Sequence, residues 1–216
     1  MKIKQWASEL LLAVAAGFSI GVGGIVSLMQ DNRYMGAFLF SVGLLTVLVF
    51  RFNLYTGMVG YLCERLAKRE WRYIGTLAVV WVGNFLGAAG AAGLIRLTSV
   101  GDGIAGKCAT LAGGKLNNAW YSLLVLGVFC GVLMYVAVDT FKKKIGEKDF
   151  LCVFALLMGV MVFILAGFEH SIADMFYFTL GGKLPQAMGA ILLITLGNSL
   201  GGNLIPLVLR CAGKRE

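Results

Sequence analysis

The stretch GFEHSIADM, residues 167–175, lies inside one of the most apolar parts of the chain and contains its only histidine, His170. Two acidic residues, Glu169 and Asp174, accompany it. Ionisable side chains in an apolar span are costly to bury and usually mark a pathway or a site. The segment is therefore a candidate functional site, and its role depends on whether the surrounding apolar sequence lies in a membrane.

Apolar runs long enough to cross a bilayer recur along the whole chain. Hydrophobic residues make up 59% of the 216 residues and charged residues 14%, which excludes an ordinary water-soluble domain. A hydrocarbon layer of about 30 Å requires about 20 apolar residues per helix. Such runs lie near residues 9–29, 35–63, 73–95, 119–141, 150–182 and 187–210. We predict an all-α integral membrane protein with six transmembrane helices, forming one domain over residues 1–216.

The basic residues favour a cytoplasmic location for both termini. If the N-terminus is inside, thirteen Lys and Arg residues lie in inside segments and five in outside loops, with Arg51 within a span. Translocation disfavours Lys and Arg in short loops. The net charge of +8 is then explained by topology and by anionic lipid, and not by a soluble face for nucleic acid. We expect a multi-pass protein of the cell (inner) membrane.

Two of the six runs are too long to be single straight spans. At about 1.5 Å per residue, residues 35–63 would form a helix of roughly 44 Å and residues 150–182 one of about 50 Å. Polar residues and glycine interrupt both, at NLYTG (53–57) and at GFEHSIAD (167–174). Irregular backbone at membrane depth is tolerated only against protein or a water-filled path. Helices 2 and 5 are therefore predicted to be broken beside a conduit.

A repeated motif relates the two halves of the chain. GNxLG occurs at residues 83–87 and 197–201, and each copy begins 27 residues after a polar residue in a break, Thr56 and His170 respectively. Three crossings per copy predict an inverted repeat, approximately residues 9–95 and 119–210, in which Thr56 and His170 approach each other near the bilayer midplane. Helix packing and hydrogen bonding are the roles expected for the motif residues Gly83, Asn84, Gly197 and Asn198.

Several motifs, in order along the chain, resemble the formate/nitrite transporter family. They are AAGFSIGVGG (15–24), NLYTG (53–57), VGNFLGA (82–88), GFEHSIADMFY (167–177) and GNSLGG (197–202). The resemblance covers almost the whole chain. It implies a homopentamer of aquaporin-like protomers, each with its own pore for small monovalent anions such as formate, nitrite, hydrosulfide or lactate.

The resemblance also implies which residues line the pore. The threonine of the first break corresponds to Thr56, the pore histidine to His170 and an outer lysine to Lys115, with Glu169 beside them on the substrate pathway. The hydrophobic constrictions correspond to Phe40, Leu44, Leu54, Tyr55 and Phe163. Glu169 has an alternative, purely structural reading, in which it caps backbone N–H groups freed by the break.

The chain departs from the family pattern at three positions. Gly131 and Asp174 stand where relatives carry asparagine, and Arg51 precedes the first break. Asp174 could cap the outer half-helix. If the missing side chain at Gly131 normally bonds an anion with several oxygens, its loss favours a compact anion such as hydrosulfide, with formate close behind.

A mechanism follows from the cost of removing an anion from water. A bare anion entering a dry slit loses a large solvation energy, whereas its neutral acid loses far less. Lys115 would concentrate anions, and burial would favour their protonation. The proton could come from His170 or from solvent through the substrate, and the sequence leaves both sources open.

Other classes of function have less support in the sequence. The five cysteines show no CxxC spacing, and no metal-ligand motif or paired nucleophile is present, so we predict no cofactor, no metal and no enzymatic activity. A pore for neutral solutes such as water, glycerol or ammonia remains the alternative. The expected partners are a small anion, membrane lipid and further copies of the chain.

Overall fold

The chain folds into helices throughout the part that the structure describes. The structure is a computed structural model, and it describes residues 2–147 and 149–214. The α-helices are α1 (Lys2–Leu28), α2 (Arg33–Val49), α3 (Tyr55–Met58), α4 (Leu62–Ala67), α5 (Arg72–Arg96), α6 (Gly101–Leu116), α7 (Trp120–Lys144), α8 (Leu151–Ala166), α9 (Ser171–Leu180) and α10 (Leu184–Cys211). Short 3-10 helices span Val59–Tyr61 and Ile145–Glu147. Lys148 and Arg215, which entered the charge count, lie outside the described residues.

The apolar helices confirm an all-α membrane protein, but they do not fix the number of crossings. Within the described residues, α1, α5, α7 and α10 are each long and apolar enough to span a membrane. The pair α8 and α9, bent by 52° at residues 167–170, gives a fifth candidate, and α2 is apolar but shorter. Length and composition thus give four spans, or five if the bent pair is one span. The count of six stays a prediction.

Glycines bring α1 against α5 and α7 against α10 at backbone distance. A Cβ atom at any of four glycines would overlap a backbone carbonyl of the facing helix, so no side chain fits there without moving a helix. The same contacts occur in both helix pairs, 114 positions apart in the chain. The four glycines are Gly17 and Gly87 in the first pair and Gly131 and Gly201 in the second.

The two breaks end their preceding helices in the left-handed region of backbone conformation. α8 ends at Gly167, with φ of 72°, a conformation that glycine adopts without the strain a Cβ causes. α2 ends before Arg51, with φ of 56°, and residues 50–54 are not α-helical. Arg33 satisfies the freed end of α8, because its Nη2 donates to the carbonyl oxygens of Leu165 at 2.6 Å and Ile164 at 3.4 Å.

Asn84 of α5 holds the first break in place. Its Oδ1 accepts a hydrogen bond from the Tyr55 N–H at 2.8 Å. Its Nδ2 donates to the carbonyl oxygens of Asn53 at 2.9 Å and Ala13 at 2.8 Å. One buried amide thus binds the first N–H of α3, the irregular backbone and α1.

Asn198 of α10 makes the matching bonds at the second break. Its Oδ1 accepts from the Ser171 N–H at 2.9 Å, and its Nδ2 donates to the carbonyl oxygens of Glu169 at 2.8 Å and Gly127 at 2.9 Å. By these bonds the counterpart of Tyr55 is Ser171, which lies one residue after His170. The 27-residue spacing, which aligned Thr56 with His170, therefore places the second break two residues out of register.

Removing either amide is expected to destabilise the protein. Asn84→Ala or Asn198→Ala leaves one buried N–H and two buried carbonyls without partners, each costing about 1–3 kcal/mol. We expect both variants to lose thermal stability in detergent. Asn118→Ala, at an exposed position, is the matched control and should unfold at the wild-type temperature. Unchanged stability of both core variants would show that water replaces the amides.

Contacts sort the basic residues onto two faces of the bundle. On one face Arg33 reaches the end of α8, Arg96 donates to the Leu180 carbonyl, and Lys107 donates to the Leu28 carbonyl. On the other face Arg72 lies over the Trp6 ring and Lys142 over the Tyr61 ring. These sets match the two sides assigned from sequence, and which side is cytoplasmic stays a prediction.

Candidate pore site

A cavity of about 550 Å³ opens on the face that carries Arg33 and Lys107. We call it the vestibule. Its lining includes Asp31, Arg33 and Lys107 together with Lys115, Phe163, His170, Ala173, Asp174 and Tyr177. The break between α8 and α9 therefore forms part of a cavity wall, as expected for irregular backbone at membrane depth.

Thr56 and His170 meet although 114 residues separate them in the chain. Thr56 Oγ1 lies 2.9 Å from His170 Nε2, and both side chains are almost fully buried. Thr56 is the second residue of α3, and His170 is the residue before α9. The two short helices after the breaks thus bring their N-terminal ends together, and each end carries partial positive charge.

The hydrogen bonds of His170 define its tautomer. Nδ1 accepts from the Ala173 N–H at 3.1 Å and so caps α9. A neutral imidazole that accepts at Nδ1 carries its proton on Nε2. That N–H donates to Thr56 Oγ1, which leaves the threonine hydroxyl hydrogen free to donate to another acceptor.

Aromatic rings enclose this hydrogen-bonded pair. The Phe163 ring stacks on the His170 ring at 5.5 Å between centroids, and the Phe40 ring meets the Phe163 edge at 5.7 Å. Leu44 follows Phe40 by one turn of α2 and is buried. Leu54 is buried and lines a separate cavity of about 20 Å³ beside Val47 and Lys142, residues of α2 and α7. Apolar side chains therefore separate the vestibule from a smaller cavity near the opposite face.

Tyr55 does not join this group, contrary to the expectation that it lines a constriction. Its hydroxyl hydrogen-bonds to Ser199 Oγ at 2.9 Å. Its side chain lines a surface groove with Trp81 and Thr195. Neighbouring residues in a helical turn point in different directions, so a turn that aims Thr56 at His170 aims Tyr55 at α10.

Lys115 forms ion pairs with two carboxyl groups. Its Nζ contacts Glu169 Oε2 and lies 2.9 Å from Asp174 Oδ1. Burial lowers the pKa of Lys115, but the nearby Asp174 and Glu169 raise it by more, so the net pKa lies above that of a free lysine. The ammonium stays charged, but it is not the free anion attractor expected from sequence. Glu169 was expected to cap backbone N–H groups, but its carboxylate binds Lys115. Asp174 was expected to cap α9, but the side chain that caps this helix is that of His170.

Arg33 and Lys107 are vestibule residues that sequence reasoning did not single out. It counted them only as charges in outside loops. Arg33 is exposed and donates to the end of α8, and Lys107 is exposed and lies 3.8 Å from Asp31. No sequence motif marks Arg33 and Lys107 as vestibule residues, because α2, α6 and α8 come together at this rim only in the folded chain.

Gly131 packs against α10. The family resemblance implied instead that a side chain is missing from the pore at this position. A Cβ atom at Gly131 would overlap the Asn198 carbonyl oxygen and lie 2.8 Å from the Gly202 nitrogen. Gly131 thus repeats the role of Gly17 in the first helix pair. The preference for hydrosulfide, which rested on a lost polar side chain at this position, loses its structural basis.

The described residues contain no group of three His, Cys, Asp or Glu side chains that could hold a metal ion. All five cysteines are free. The site thus offers hydrogen-bond donors, a lysine–carboxyl cluster and aromatic rings around a water-accessible cavity. Together with the long apolar helices, these features define a multi-pass membrane protein with a polar site where two short helices begin.

The sequence profile of the formate/nitrite transporter family matches residues 2–212. The chain belongs to this family. It is 28% identical over 158 residues to the formate channel FocA of Haemophilus influenzae, a match that covers 69% of this chain and about half, 54%, of that relative. Relatives in the family are channels and transporters, not enzymes.

Solved structures show the same fold. The chain superimposes on a structure described as a pentameric formate channel with formate bound, with a TM-score of 0.77, 21% identity and 97% of each chain covered. It also matches an ion channel of this family with a TM-score of 0.78 and 22% identity, covering 98% of this chain and 90% of the other.

Proposed function

We propose that the chain is a channel or transporter for small monovalent anions of weak acids, such as formate, nitrite or hydrosulfide. The observation that carries the proposal is the contact between Thr56 and His170 beside a vestibule and between apolar residues. Membership in a family of formate and nitrite transporters supports the substrate class.

The anion enters past the charged rim and loses its water in steps. Arg33 and Lys107 raise the local anion concentration at the rim. Further in, the Thr56 hydroxyl and the partial positive charge at the start of α9 replace part of the stabilisation that the hydration shell gave. Around the pair, the Phe40 and Phe163 rings exclude water, so the substrate crosses as its neutral acid.

The geometry favours His170 as a hydrogen-bond donor over a role as an acid. Transfer of the Nε2 proton to the anion would leave an imidazolate, which is unfavourable. A doubly protonated ring could give up a proton, but protonation at Nδ1 would break the bond from the Ala173 N–H that caps α9. We therefore propose that His170 orients the Thr56 hydroxyl toward the substrate while the proton arrives from elsewhere.

The proposed assembly is a homopentamer of protomers with six crossings. The second crossing consists of α2, α3 and α4, and the fifth of α8 and α9. The shared glycine contacts and the matching bonds of Asn84 and Asn198 support inverted repeats. The large apolar side chains exposed on the single chain, among them Leu86 and Leu200, face lipid or neighbouring protomers.

Flux into liposomes tests the proposed function. Purified protein is reconstituted, and uptake of formate, nitrite, hydrosulfide, lactate and acetate is followed under defined pH gradients, with glycerol and ammonia as neutral solutes. We expect saturable or pH-driven uptake of at least one weak acid above that of protein-free liposomes. Uptake of the neutral solutes alone would establish the alternative pore.

Labelling of single cysteines tests the orientation. Asn117 lies exposed near the vestibule face, and the native Cys211 lies exposed at the end of α10. We expect Asn117→Cys to react with a membrane-impermeant maleimide from outside cells, and Cys211 to react only after the membrane is opened. The reverse pattern would place the vestibule in the cytoplasm.

A further inference from the structure

Glu169 and Asp174 form a buried cluster with Lys115 in which the charges do not balance. Both carboxyl groups contact the same ammonium, and both residues are at most 2% exposed. Two carboxylates and one ammonium carry a net charge of −1. An uncompensated charge at such a buried position is strongly unfavourable.

One oxygen of the cluster has no hydrogen-bond partner. Asp174 Oδ1 binds Lys115, but Oδ2 is buried and accepts no hydrogen bond from the residues that the structure describes. The Glu169 and Asp174 carboxyl groups contact the same ammonium, and two carboxylates offer only acceptors. A proton on one of them supplies the missing donor and also brings the net charge to zero.

We propose that Glu169 and Asp174 bind one proton between them, and that this proton keeps the vestibule permissive for anions. The protonated Asp174 donates to Glu169, as an amide side chain would. Loss of the proton places a net negative charge in the vestibule wall, which repels an incoming anion. External alkalinity therefore closes the pathway electrostatically, in addition to lowering the amount of protonated substrate.

Other ionisable groups near the cluster do not remove the imbalance. Lys115 is the one ammonium in the cluster among the described residues, and His170 is neutral because its Nδ1 accepts the Ala173 N–H. Arg33, Lys107 and Asp31 stand at the rim, Arg96 and Lys183 lie at the far end of α9, and Tyr55 is turned to Ser199. The remaining neighbours carry thiol or phenol groups, which are uncharged at neutral pH: Cys108 of α6, Cys130 of α7 and Tyr177 of α9.

The pH dependence of flux in Asp174→Asn tests the proposal, which rests on the proposed anion conduction. The amide has the shape of the carboxyl group but cannot ionise. We expect wild-type flux to fall with rising external pH more steeply than flux through the variant. The ratio of variant to wild-type flux should rise by up to about tenfold per pH unit, since one proton is involved. The ratio cancels the protonation of the substrate itself.

Asp102→Asn is the matched control, because Asp102 is an exposed carboxyl on the same helix as Lys115. Its ratio to wild type should stay constant with pH. A constant ratio for an assembled Asp174→Asn variant would overturn the inference. Absence of anion flux in the wild type at every pH would instead count against the proposed function.

Infrared difference spectroscopy tests the bound proton without any transport. The full-length protein in detergent is compared at low and high pH. We expect the carbonyl stretch of a protonated carboxyl group to disappear on alkalinisation in the wild type and in Asp102→Asn. Asp174→Asn and Glu169→Gln should both lack this band. In each variant the single remaining carboxylate is balanced by the Lys115 ammonium, so no proton is needed to neutralise the cluster. Its persistence in both variants would refute the shared proton.

Discussion

Replacing His170 by phenylalanine is expected to lower anion flux by about a hundredfold or more. The imidazole supplies the Nε2–H that orients the Thr56 hydroxyl toward the anion. Loss of that orientation weakens the hydrogen bond from Thr56 to the charged substrate, which contributes about 1.5–3 kcal/mol. The larger ring also fills the space between Phe163 and Thr56. Initial rates of formate and nitrite uptake into liposomes, normalised to the amount of assembled protein, measure the effect.

A second substitution separates transport from folding. Phenylalanine cannot accept the Ala173 N–H, and a lost cap costs about 1 kcal/mol. His170→Asn keeps a capping oxygen and removes the imidazole, so it should unfold at nearly the wild-type temperature and still lose most of its flux. Wild-type uptake by either assembled variant would refute the role proposed for His170.

The parts of the fold that sequence predicted are those encoded by local composition and by unusual residues. Apolar runs predicted the helices, and polar residues in an apolar run located the bend at 167–170. The motif spacing and the family resemblance predicted that Thr56 and His170 lie close together, and the two side chains are in contact. These features can be recognised in the sequence because a polar group buried in a membrane needs a polar partner, and that partner is itself an unusual residue in an apolar run.

The parts that sequence missed depend on direction and on distant partners. Tyr55 and Thr56 are adjacent, and only the helical turn at 55–58 decides which of them faces His170. Lys115 was predicted to be a free lysine that attracts anions, because its two carboxyl partners lie 54 and 59 residues away in the chain. Spacing alone also misjudged the second break by two residues, since the bonds of Asn198, and not the count along the chain, set the register.

Gly131→Asn is expected to prevent α7 from packing on α10 and so to abolish assembly. At this position even a Cβ atom would overlap the Asn198 carbonyl oxygen, and both neighbours are backbone atoms that cannot rotate away. Overpacking of a close contact costs about 3 kcal/mol or more when the backbone has to move. Thermal unfolding and the fraction of pentamer in detergent measure the loss, and Gly131→Ala should show a smaller loss in the same direction.

Gly189→Ala provides the control, because Gly189 lies on α10 with open space around its Cα. It should assemble and conduct like the wild type. If residue 131 instead lined the pore, as the family resemblance implies, Gly131→Asn would give a folded channel whose flux shifts from hydrosulfide toward formate. A stable pentamer with that shift would place residue 131 at the pore. Loss of assembly, with Gly189→Ala intact, would identify Gly131 as a packing glycine, and the choice between hydrosulfide and formate would then depend on the residues of the vestibule.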